Sequence, residues 1–197
     1  MTNSASTAPL LALLRLDTPA TAELIELLAT FEDLQTVLRC CERLMTDLKT
    51  SEDRDELAIE GVWTVALLSY ARCFTARPTG APLGEADLSE VQPHGDVLEW
   101  HRMLLLLHKH HSHQIANPRE RFTIGAALDD GGAVSGIGVA SARQPLVDQV
   151  TVRQTGAIAF GLSRLVDDRI TATQEKVFAA ARELTAAELE KLPHLDI

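Results

Sequence analysis

The chain has 197 residues, a formal net charge of −10, 46% hydrophobic and 23% charged residues. That length suits one domain with its own core, and the acidity argues against bulk DNA binding, which needs many neutralised phosphates. No apolar run approaches the roughly 18 residues of a membrane-spanning helix, so no membrane partner is expected.

Residues 1–17 carry no basic residue before Arg15 and only a short apolar stretch. They read as a flexible N-terminus rather than a secretory signal, and the expected compartment is the cytoplasm. Thr18-Pro19 then opens a helix, with an N-cap hydroxyl and a proline at the first helical position, leading into Leu24, Leu27 and Leu28. Thr30 followed by Asp33 predicts a second helix start, whose stripe of Leu34, Val37, Leu38, Cys41, Leu44 and Met45 reaches about Leu48. A third helix is expected over 51–76, acidic in its first turn (Glu52, Asp53, Asp55, Glu56) and basic in its last (Arg72, Arg77). Its nearly continuous apolar interior predicts a central position. Cys40, Cys41 and Cys73 fit neither a disulfide framework nor the spacing of structural zinc, and read as reduced, packed thiols.

The prolines and glycines of 77–93 forbid a long helix and predict an ordered connection. A fourth helix follows over 95–115 and stops before Asn117-Pro118. The period then changes from helical to alternating: Phe122, Ile124, Ala126 and Leu128, a turn at Asp129-Asp130-Gly131-Gly132, and a small, β-branched run over 134–140 predict a β-hairpin at about 120–142. Gly125, Gly136 and Gly138 imply close approach by a helix or a partner. After Pro145 a long helix with the stripe Ile158, Leu162, Leu165, Val166 and Ile170 extends towards Arg182, and Thr185 with Glu188 forms a last capping box.

Five of the seven histidines fall between Glu99 and Arg121. At 100° per residue His101, His108 and His111 share a stripe with Val97, Trp100, Leu104, Leu107 and Ile115, while Arg102, Lys109, His110 and His113 point elsewhere. Trp63 and Trp100 read as core anchors. His108 and His111, at i and i+3, can share a metal ion if another helix supplies further ligands. Alternatively, Arg102 or Lys109 beside a histidine titrating near neutrality can hold a phosphate while the imidazole moves a proton, which is acid-base chemistry suited to RNA cleavage. The local excess of Arg102, Lys109, Arg119 and Arg121 over Glu120 is consistent with a small anion or RNA site. The plainest reading is a set of hydrogen-bonded core or interface histidines.

Tyr70-Ala71-Arg72-Cys73-Phe74-Thr75 closes one helix, a Pro/Gly connection follows, and Glu99-x-His101-Arg102 opens the next, ahead of a small-residue hairpin and a long final helix. Over roughly 50–180 this order resembles uncharacterised actinobacterial proteins of HEPN-like helical architecture, with a YARxF motif at the first site and an LRDKHIAHS motif at the second. Arg102-x5-His108 also fits the R-x4-6-H spacing of HEPN ribonucleases. Placed without gaps, the second motif falls on 107–115, its arginine on His108, its first histidine on His111 and its second on Gln114, with His113 one position away. The resemblance implies a mainly α, antiparallel HEPN-like bundle with one β-hairpin before the long C-terminal helix; the predicted elements extend that single domain over 18–192, with a tail at 193–197. It also implies that Arg72 approaches the histidine segment.

Three functions are consistent with the sequence. The first is a non-enzymatic binding or assembly module that forms a homo-oligomer, the histidine stripe serving as a helix-helix interface. The second is an RNase of a toxin-antitoxin or phage-defence kind, using Arg102, His108, His111 and His113. The third is a metal protein with His108 and His111 as ligands, the only reading that implies a cofactor.

Overall fold

The computed structural model describes residues 13–49, 54–77, 83–91, 96–113 and 117–195. The far N-terminal residues, Glu52 and Asp53, part of the Pro/Gly connection, Gln114, Ile115 and the last two residues of the tail lie outside them.

The chain forms α1 (Pro19–Asp47), α2 (Glu56–Cys73), α3 (Glu85–Val91), α4 (Val97–His111), β1 (Glu120–Leu128), β2 (Val134–Arg143), α5 (Gln149–Arg182) and α6 (Ala186–Leu189). Helix starts are set by short polar side chains that satisfy orphan backbone N–H groups. The Thr18 hydroxyl accepts from the Thr21 amide, Thr21 closing a capping box, and Pro19 follows. Asp55, Asp96 and Asp148 accept from the amides of Ala58, Glu99 and Thr151. Thr185 and Glu188 form the expected capping box on α6.

The second start predicted at Thr30 does not occur. Thr30 lies buried inside one continuous helix, and its hydroxyl donates to the Glu26 carbonyl at 2.9 Å. A threonine that bonds back to the preceding turn has the same sequence context as a cap. The connection at 77–93 does contain a short helix, α3.

Contact positions show that the helices run antiparallel. Along α1 and α5, Gln35 donates to Ser163, and Gln149 donates to the Leu48 carbonyl. Along α1 and α2, Asp33 meets Arg72 and the Thr30 carbonyl faces the Cys73 thiol. Along α2 and α4, Thr64 meets His111 and Tyr70 meets His101. The short α3 seats on α5 through an Arg169–Asp87 ion pair and through Val91, which sits so close to Gly161 that a side chain there would collide with it. The core between these helices includes Leu34, Val37, Leu44, Tyr70, Leu104, Leu162 and Val166, all fully buried. Four of the five stripe residues expected on α5 are buried, with Leu165 half-buried. The ends of the described chain meet: Leu14 bridges His194, the Arg15 amide donates to the Pro193 carbonyl, and the Leu195 amide donates to the Leu13 carbonyl. No helix among the described residues is long and apolar enough to cross a membrane.

The hairpin stands apart from this core. β1 and β2 pair in antiparallel register from Glu120↔Arg143 to Leu128↔Val134, with an irregularity at Ala127/Leu128. The Asp129 carboxylate accepts from the Gly131 and Ala133 amides, and Gly132 adopts the left-handed conformation (φ 82°) that the turn requires. Side chains alternate across the ribbon. Phe122, Ile124, Leu128, Val134, Ile137 and Val139 share one face, and Gly125, Ala127, Gly136, Gly138, Ala140 and Ala142 form the other. Both faces are exposed almost throughout. Among the described residues no helix makes the close approach expected at the three glycines: a side chain added at Gly125 or Gly136 would meet nothing, and one at Gly138 only the facing Gly125 carbonyl at 3.9 Å. Only the base is tied down, by ion pairs from Arg119 to Glu60 (2.6 Å) and from Arg143 to Glu56 (2.5 Å) on α2.

Candidate functional site

The histidine helix divides its side chains between two environments. In the first, His101 is 5% exposed and its Nδ1 lies 3.0 Å from the Tyr70 hydroxyl. Phe74 packs on the imidazole with ring centroids 4.3 Å apart. Tyr70 and Phe74 are the aromatic positions of the YARxF-like segment. They lie four residues apart on the end of α2, so both reach the facing turn of α4. Burial pushes the Tyr70 phenol well up and His101 down; for His101, Glu85 opposes the shift and Arg102 adds to it. The pair is a neutral, hydrogen-bonded core contact. Cys73 beside it has its thiol pushed up to about 12, mainly by burial and then by Asp33, so it is held as an unreactive thiol. Arg72 turns away from the histidine segment: its guanidinium grips Asp33 on α1 at 2.5 Å, joined by Arg77 at 3.7 Å.

The second environment is a cleft of about 210 Å³ between α2, α4, the hairpin base and the start of α5. His111 lies in it half-buried, its Nδ1 3.5 Å from the Thr64 hydroxyl. Burial lowers its pKa, Glu60 opposes that shift and His110 reinforces it, so the neutral imidazole is favoured. His110 lines the same cleft, its ring set edge-on to His111 at 6.0 Å. Trp63, Met103 and Leu107 supply an apolar wall, while Glu60, Arg119, Arg143 and Asp148 supply charges.

The remaining sequence candidates are dispersed. Arg102 is exposed and faces Glu85 on α3 at 3.4 Å. His108, half-buried, lies outside the cleft, and His113 is exposed beyond the end of α4. Arg102 and His108 differ by about 120° around the helix, so they do not converge. Among the described residues no three His, Cys, Asp or Glu side chains are arranged to hold a metal ion, which leaves His108 and His111 without a third protein ligand there. Trp63 is 5% exposed, and Trp100 is half-buried with its indole N–H donating to Thr155, as expected of anchors. No local pattern links the cleft's acidic and basic members, because they come from three separated stretches around Glu60, Arg119 and 143–148. Of them only Arg119 carried a signal, the local excess of positive charge.

Comparison of the chain with protein-family models, with curated proteins and with solved structures finds no match.

Proposed function

We propose that this protein is a non-enzymatic assembly module, a HEPN-like helical bundle that forms a homodimer through its β-hairpin. The observation that carries this reading is the uncovered ribbon: its six large apolar side chains are 58–76% exposed. An isolated two-stranded ribbon is marginal in water unless its apolar face is covered, and open strand edges invite pairing with another chain. Those six side chains present on the order of 500 Å² of apolar surface. A patch of that size marks an interaction site, and doubled over two copies it reaches about the 1,000 Å² of a biological interface.

The occupant this favours is a second copy. From Phe122 to Leu128 and from Val134 to Ala142 the ribbon has no ionisable residue, so two copies of an acidic chain can meet there without charge repulsion. Along those two stretches a nucleic acid would find no cation. Antiparallel pairing of like strands gives the self-complementary two-fold contact of an isologous dimer. The histidine stripe, by contrast, is engaged within the bundle, and the helix-helix interface first expected there gives way to the hairpin. The HEPN-like part of the reading is supported by the meeting of Tyr70 and Phe74 with His101, which joins the two segments that carry the resemblance.

Light scattering coupled to size-exclusion chromatography at about 50 µM, above a micromolar dissociation constant, tests the proposal. Dimer in the wild type and monomer in Ile137→Asp are expected; a monomeric wild type overturns it. The RNase alternative predicts RNA cleavage that is lost in His111→Ala, and the metal alternative predicts stoichiometric metal in untagged protein.

A further inference from the structure

The cleft beside His111 has two kinds of wall, and their balance constrains what fits it. Trp63, Met103 and Leu107 form an apolar side, facing two cations, Arg119 and Arg143, and two carboxylates, Glu60 and Asp148. Glu60 is 19% exposed and pairs with Arg119 at 2.6 Å. An anion that drew Arg119, itself half exposed, away from Glu60 would leave that largely buried carboxylate without its partner and cost the site their attraction. A cation taken up by Glu60 would strand Arg119 in the same way. A molecule carrying both charges exchanges the internal pair for two external ones and leaves neither group alone. His111, kept neutral by burial, adds a hydrogen-bonding group without shifting the charge balance. The volume of about 210 Å³ corresponds to roughly seven water molecules at about 30 Å³ each, space for a ligand the size of a single amino acid.

We propose that this cleft binds a small zwitterion with an apolar side chain, of the free amino acid type. Its carboxylate lies towards Arg119 and Arg143, its ammonium towards Glu60 and Asp148, and its side chain against Trp63 and Leu107. Pockets of this composition, apolar with a few convergent polar groups, are where small ligands bind.

The test is a titration of the wild-type chain with L-leucine and L-phenylalanine, followed by amide NMR and by the indole N–H signal of Trp63. Saturable shifts with a Kd of about 1 mM or tighter are expected. N-acetyl-leucine, which keeps only the anion, and leucine amide, which keeps only the cation, should each bind at least about tenfold more weakly. Absence of saturable binding by both amino acids, or equal binding of either blocked form, overturns the proposal. The series uses unmodified protein, so it requires no variant to fold. Its outcome does not depend on oligomeric state, so it stands or falls separately from the dimer.

Discussion

Leu34, Leu104 and Leu162 in the bundle are fully buried, whereas Ile124, Ile137 and Val139 in the hairpin are 71%, 76% and 67% exposed. Both sets follow a regular apolar period, 3.6 in one and 2 in the other. The helical stripes find each other because α1, α2, α4 and α5 fold back antiparallel, and their central positions, Leu34, Leu104 and Leu162 among them, are covered by neighbouring helices. The ribbon projects from two loops and meets α2 only through its base. Apolar patterning therefore identifies a face that needs a partner, while chain connectivity decides whether that partner is internal. Stability is expected to reside in the bundle and association in the ribbon.

Truncating the bundle should have the largest effect. Leu104→Ala removes a fully buried side chain and should cost about 2–5 kcal/mol in unfolding free energy, read by urea denaturation. A loss below about 1 kcal/mol would break the contrast between the two regions. Tyr70→Phe should cost about 1–3 kcal/mol by leaving the buried His101 nitrogen without its partner, with secondary structure unchanged by circular dichroism.

The pH dependence follows from the same buried groups. His101 and His111 have lowered pKa values in the fold, so the unfolded chain, with its histidines near 6.5, takes up protons first as the pH falls. Stability should thus be full above about pH 6.5 and decline below it, and the decline should be smaller in His101→Gln. For Cys41 and Cys73, pushed up to about 12 by burial, the sign reverses: the unfolded thiols ionise first as pH rises, and stability should fall above about pH 8.5. Denaturant midpoints across pH 5–10 check both limbs. Flat stability from pH 7 to 5.5 would contradict the burial of the two imidazoles.

The smallest effect on folding is expected in the ribbon. Ile137→Asp should change the stability of the dissociated chain by no more than about 0.5 kcal/mol, although it abolishes the dimer. A wild-type melting temperature that rises with protein concentration, and a variant whose melting temperature does not, would sharpen the division between the two regions.

Much of this was legible in the sequence. Thr18 and Thr185 announce their helices because a cap is a local contact over three residues, and the hairpin shows as a switch of period flanked by Asn117-Pro118 and Asp129-Asp130-Gly131-Gly132. Thr30 misled because its hydroxyl can satisfy a carbonyl four residues back as readily as an amide ahead. The histidine wheel placed His101 and His111 on the inner face and His110 outside it, as the structure has them: His110 is exposed, and it borders the cleft because Pro118 and Arg119 come up beside the end of α4.

The sequence by itself determined the mainly helical class, the hairpin and its two unlike faces, the packed cysteines and the tryptophan anchors, since each depends on patterns within one element. Only the tertiary structure decided that Tyr70 takes His101, that Arg72 turns to Asp33, and that Glu60, His111, Arg119 and Asp148 enclose one cleft. It also decided that the ribbon stays uncovered. These are pairings between residues far apart in the chain, fixed by how the helices pack rather than by any local preference.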